Sequence, residues 1–142
     1  MIYRYARTIV PGPNGTVTRH NAGDGELVEL ATMDGYTYVS QQGDIPQQPP
    51  GVTLEPVVVT DELRAALRTE SPILRQIDAS TATAVRERYT LDEELYFARI
   101  SVGALMGTYV LCPGEQELLG GYQMFVETAR AEAQAKREAL GL

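Results

Sequence analysis

The side chains able to do chemistry in this chain of 142 residues are few and scattered. His20 is the only histidine and Cys112 the only cysteine. A histidine-based dyad or a metal site needs convergent partners, and no second histidine or further cysteine exists to supply them. His20, beside the turn residues Asn21 to Gly25, therefore reads as a solvated loop histidine. Cys112, followed by Pro113, would need a neighbouring base to act as a nucleophile, and the sequence marks none. It reads as a buried structural thiol. Asp92, Glu93 and Glu94 have the composition of metal ligands, but at the first turn of a helix the dipole alone favours such carboxylates. Asp24 and Asp44 lack the alternating oxygen ligands of a calcium loop. Gly12-Pro13-Asn14-Gly15 and Gly23-Asp24-Gly25 are turn sequences without the Lys or Ser/Thr that follows in a phosphate-binding loop. Tyr3, Tyr5, Tyr36 and Tyr38 alternate along two stretches. They suit either an aromatic platform or the core of a small sheet, and without basic partners the core is preferred. As a set they are also the candidate contact residues of a β-rich docking module. No catalytic residue, metal site or cofactor is expected, and the chain is not expected to be an enzyme.

Composition narrows the function classes further. The net charge of −7 argues against non-specific binding to nucleic acid or anionic lipid. Eleven of the twelve basic residues are Arg, a bias that a GC-rich genome produces without any binding site. One cysteine excludes an internal disulfide, so the fold is independent of an oxidising compartment. The start, MIYRYARTIV, has no uninterrupted apolar run after its charges and is not expected to be a secretory signal; a soluble product made in the cytoplasm is expected.

The elements that must position these residues fall into two grammars, and the fold class expected is α+β. Residues 1–40 read as a small antiparallel β meander of three or four strands. IYRYARTIV places Tyr3, Tyr5 and Ile9 on one face, and PGPNG turns it into TVTRH. Asp34-Gly35 suits a type I′ hairpin between ELVELATM and YTYVS. Residues 41–59 read as a Pro/Gln linker followed by an extended segment, VTLEPVVV, able to add an edge strand.

Residues 60–142 read as a helical hairpin or bundle. Thr60 is a candidate N-cap with Asp61 and Glu62 behind it, and Ser71-Pro72 restarts a second helix. Thr90 to Glu93 has the capping-box form. Leu91, Leu95, Ala98, Val102, Leu105 and Tyr109 then follow at spacings of 4, 3, 4, 3 and 4, a one-face stripe of heptad period. This helix is expected to run to Cys112-Pro113-Gly114. In the last helix Leu118, Tyr122, Phe125 and Ala129 share a face, and Gly120-Gly121 is either a kink or a boundary.

Ile100 to Cys112 is a run of thirteen uncharged residues, about 20 Å of helix at ~1.5 Å per residue. A bilayer core needs ~20 residues, so membrane insertion is not expected. Gly103 and Gly107, spaced as G-x-x-x-G, are instead expected to let another backbone approach, with Gly103→Leu disrupting folding or assembly.

Three stretches, LEPVVVTDELRAALRTESP, AVRERYTLDEEL and VETARAEAQAKREALGL, resemble small tail-associated or tail-fibre-region structural proteins of tailed bacteriophages over about residues 52 to 142. The resemblance implies a structural virion protein, made in the host cytoplasm and located in the virion, that acts as an adaptor through packing. Its partners would be other virion proteins, as a homo-oligomer or with tail or fibre components; a tail-fibre assembly chaperone is the alternative.

Overall fold

A computed structural model describes all 142 residues and resolves them into two compact units, one of residues 1–76 with 136–142 and one of residues 77–135. The element types are those expected of an α+β chain: an N-terminal antiparallel sheet of four strands, then four helices.

In the first unit the sheet has the order β4-β5-β1-β6, with β1 at Ile2–Ala6, β4 at Leu27–Met33, β5 at Tyr36–Gln41 and β6 at Glu55–Val57. β1 lies between β5 and β6, so the sheet is not a simple meander. β2 (Ile9–Val10) and β3 (Thr16–Val17) form a separate two-stranded ribbon across the PGPNG turn. The Asp34-Gly35 hairpin forms as its sequence demands, with φ of 53° and 78° at the two turn residues. VTLEPVVV supplies the edge strand β6, with Ile2 opposite Val57 and Arg4 opposite Glu55.

The register decides which tyrosines meet. Tyr3 faces Val39 and Tyr5 faces Thr37, while Tyr38 faces Arg4 and Tyr36 faces Ala6. Directly opposed residues share a face of the sheet and neighbours in sequence do not. Tyr3 and Tyr5 therefore lie on one face and Tyr36 and Tyr38 on the other. On the Tyr5 face a core of Tyr5, Leu27, Val39 and Val52 gathers Tyr3 and Leu54 at its margin. On the opposite side Gly141 packs against Ile2, with Leu140 and Leu142 buried beside it.

The Pro/Gln segment is not a free tether. Asn21 and Gln48 exchange hydrogen bonds, the Asn21 amide nitrogen donates to the Gln47 carbonyl, and Val52 is buried. A polar segment that satisfies a neighbouring turn so fully becomes part of the first unit, so the division of the chain falls elsewhere than composition suggests.

The helices are α1 (Asp61–Glu70), α2 (Pro72–Arg88), α3 (Leu91–Leu105) and α4 (Pro113–Ala139). Thr60 caps α1 by accepting from the Leu63 amide, and the buried Ser71 separates α1 from α2. Thr90 and Glu93 form the reciprocal capping box of α3. Gly120-Gly121 lies inside α4 without ending it.

The core of the second unit is aromatic. Phe97, Ile100 and Leu119 are buried, with Tyr89, Tyr96, Leu111 and Tyr122 packed around them. The inward face of α4 thus runs through Leu119 and Tyr122 to Ala133, while Leu118, expected on that face, is exposed.

Candidate interaction surface

α3 carries two apolar faces. Phe97 and Ile100 turn inward, and the heptad stripe that the sequence singles out turns to solvent. Leu91 is 54% exposed, Leu95 60%, Val102 54% and Leu105 88%, and Ala98 between them is exposed too. The 4-3 spacing of this exposed stripe is the spacing of a coiled-coil seam. Asp92 and Arg99 flank it, with Leu95 and Tyr96 lining a shallow groove between them.

α3 ends at Leu105, eight residues before Pro113, and the two glycines near its end have different tasks. Met106 is the C-cap, and Gly107 follows in the left-handed region at φ 71°. The Thr108 amide donates to the Gly103 carbonyl at 2.9 Å and the Gly107 amide to that of Ala104 at 3.2 Å. This is the paired arrangement of a Schellman motif, and glycine occupies its C′ position because a β-carbon is strained there. Gly103 lies one turn earlier, where a β-carbon would fall 2.8 Å from that of Tyr109. G-x-x-x-G thus serves the turn-back of this chain on itself, not the approach of a second helix.

Tyr109 folds back onto Glu115. The phenols of Tyr96 and Tyr109 both donate to Glu115 Oε1, each at 2.5 Å, and the Cys112 amide donates to Oε2 at 3.1 Å. Cys112 is therefore the N-cap residue of α4, Pro113 its first helical residue and Glu115 the third-position carboxylate that closes the cap. Its thiol is exposed, contrary to the buried thiol expected. The three donors hold the Glu115 carboxyl down at about 2 from an ordinary 4.5, the Tyr109 phenol acting most strongly. The same carboxylate pushes Tyr109 up to about 12 and Tyr96 upward too. A cleft of about 350 Å³ opens beside them, lined by Tyr96, Arg99, Ile100, Gly103, Thr108 and Tyr109.

A pH dependence follows from these shifts. A carboxyl whose pKa is depressed on folding contributes stability that is complete above about 4.5 and fades as pH falls through about 2. The raised Tyr109 phenol acts at the other extreme: its contribution is complete below about 10 and lost as pH rises through about 12. In carboxyl-detected NMR the Glu115 midpoint should lie near 2, and should climb toward 4.5 in Tyr96→Phe/Tyr109→Phe. An unmodified chain with Glu115 titrating near 4.5 would refute the arrangement.

The tyrosines of the sheet do not form one platform. Tyr5 and Tyr38 are buried, whereas Tyr3 and Tyr36 are half-buried on opposite faces. Arg4 lies over the Tyr36 ring at 4.5 Å and pairs with Glu55. His20, expected in solvent, is half-buried: its Nδ1 lies 3.1 Å from the Tyr5 hydroxyl, and burial lowers its pKa. This contact spans fifteen residues and has no local signal. Asp92, Glu93 and Glu94 lie in the first turn of α3, where Glu93 closes the capping box. Tyr122 and Phe125 of the expected helical contact set lie half-buried against Tyr89. Of that set, Leu91, Leu95, Ala98, Val102, Leu105 and Leu118 are exposed, as are Gly107 and Tyr109, whose roles lie in the turn after α3. No helix is long and apolar enough to cross a membrane. No family model, curated protein or solved structure matches the chain.

Proposed function

We propose that this chain is a structural subunit that works by packing against other proteins, as an adaptor or tail-associated component of a tailed-phage virion. The observation that carries the reading is the outward apolar stripe of α3. Contiguous apolar surface of more than a few hundred Å² is uncommon on a monomer and marks an interaction site. The charge balance and the sequence resemblance over residues 52 to 142 support the same reading. The helical stripe is the docking element, whereas Tyr5 and Tyr38 are committed to the packing of the sheet itself. Antibody-labelled electron microscopy and quantitative mass spectrometry of purified particles test the proposal. They should give one labelled position and a fixed copy number. Absence from mature particles overturns it, and co-purification with a soluble fibre protein would then assign the chain to fibre assembly.

A further inference from the structure

Resting on that reading of the α3 stripe, we infer that its partner is a second copy of this chain, with the two α3 helices packed antiparallel about a twofold axis. The geometry of the stripe selects this occupant. Ala98 is the one small residue in a row of large ones, between Leu95 and Val102. In a parallel pair the two Ala98 side chains would meet and leave a gap between larger layers. In an antiparallel pair centred between residues 96 and 97, Leu91 packs on Val102 of the second copy and Leu95 on its Ala98, so that each large side chain meets a smaller one. The twofold operation repeats both layers, as an isologous interface requires.

Charge fixes the register. Asp92 and Arg99 both lie one position after a stripe residue, Leu91 and Ala98 respectively, and so line the same edge of the seam. Centred between residues 96 and 97, the antiparallel pair brings Asp92 of each copy to Arg99 of the other, twice. Shifted by one heptad half to pair Leu95 with Leu105, it would instead set Arg99 against Arg99. Within the chain Asp92 forms no hydrogen bond or ion pair, and the Arg99 guanidinium only approaches the Tyr96 ring, at 6.0 Å. Both are therefore available to the second copy. The antiparallel helix dipoles add to the preference.

Sedimentation equilibrium of the full chain in a Cys112→Ser background tests the inference, with circular dichroism confirming that each variant is folded. The chain should dimerise below about 100 µM. Leu95→Glu, on an exposed position, should abolish the dimer. Asp92→Arg and Arg99→Asp should each weaken it about tenfold, because each turns two attractions into repulsions. The exchanged pair Asp92→Arg/Arg99→Asp should return to within about threefold of the starting affinity. Leu91→Cys mixed with Val102→Cys should form the mixed disulfide in preference to either self-disulfide. A folded chain that stays monomeric at about 100 µM, a dimer indifferent to Leu95→Glu, or an exchanged pair no better than the single reversals overturns the inference. A monomer found at fixed copy number in particles would refute the self-pairing alone, and a dimer missing from particles would refute the virion reading alone.

Discussion

Phe97→Ala should destabilise the second unit by about 3–5 kcal/mol, the usual cost of emptying a buried aromatic site. Phe97 is buried and central to a ring network. It stacks on Tyr122 with centroids 4.9 Å apart and an interplanar angle of 23°, and it meets Tyr89 edge-on at 6.0 Å and Tyr96 at 5.7 Å. Tyr89 in turn is edge-on to Tyr122 at 5.1 Å and to Phe125 at 5.8 Å, and Arg88 covers the Phe125 ring at 4.8 Å. Removing the shared ring leaves a cavity and unpairs three partners at once, each such pair contributing roughly 0.5–1.5 kcal/mol beyond its buried area. Leu95→Ala, two residues away on the same helix, should change the stability of the isolated chain by less than about 0.5 kcal/mol because its side chain faces solvent. Urea unfolding followed by circular dichroism and tyrosine fluorescence would measure both. A Phe97→Ala loss below about 1 kcal/mol, or a Leu95→Ala loss equal to it, would show the faces of α3 to be assigned the wrong way round.

That contrast also marks the limit of what the sequence discloses. Local chemistry was legible wherever neighbours in sequence satisfy one another: the Thr90–Glu93 box, the Thr60 cap, the Ser71-Pro72 restart and the Asp34-Gly35 turn all form from residues within four positions of each other. α3 carries two apolar rows on nearly opposite faces, about 150° apart at ~100° per residue, and periodicity finds the longer one without revealing which row the rest of the chain covers. The outward row has the cleaner heptad; the aromatic residues Tyr96 and Phe97, with Ile100, win the interior because rings of α4 and Tyr89 are there to meet them. The four tyrosines alternate correctly on their strands, yet their grouping depends on a register that only the paired strands define. The end of α3 was obscured by a stronger punctuation downstream. Cys112-Pro113-Gly114 starts a helix, and the true stop is the single Gly107 followed by Thr108, a C′ signal weaker in sequence than a proline.

The segment between those signals gives the second large effect, in Gly103→Leu. Three donors converge on the Gly103 carbonyl: the Thr108 amide at 2.9 Å, the Tyr109 amide at 3.1 Å and the Thr108 hydroxyl at 3.2 Å. They fix the turn-back so firmly that Tyr109 has no room to retreat, and its own β-carbon stands 2.8 Å from where a side chain at residue 103 would begin. The clash is with the root of a side chain, not its flexible end, so the backbone of residues 108–110 must move or α3 must fray. Overpacking of this kind costs about 1–3 kcal/mol, and leucine's better helix propensity offsets up to about 1 kcal/mol of it. A net loss of about 1 kcal/mol is expected, with the Tyr109–Glu115 hydrogen bond broken. Gly103→Leu should therefore move the Glu115 carboxyl midpoint upward from about 2 even in a monomeric chain. If the two glycines instead formed a helix-helix contact, Gly103→Leu would weaken association and leave that midpoint untouched. The two readouts separate a glycine that serves the chain's own turn from one that serves a neighbour, and the crowding around Tyr109 requires the first.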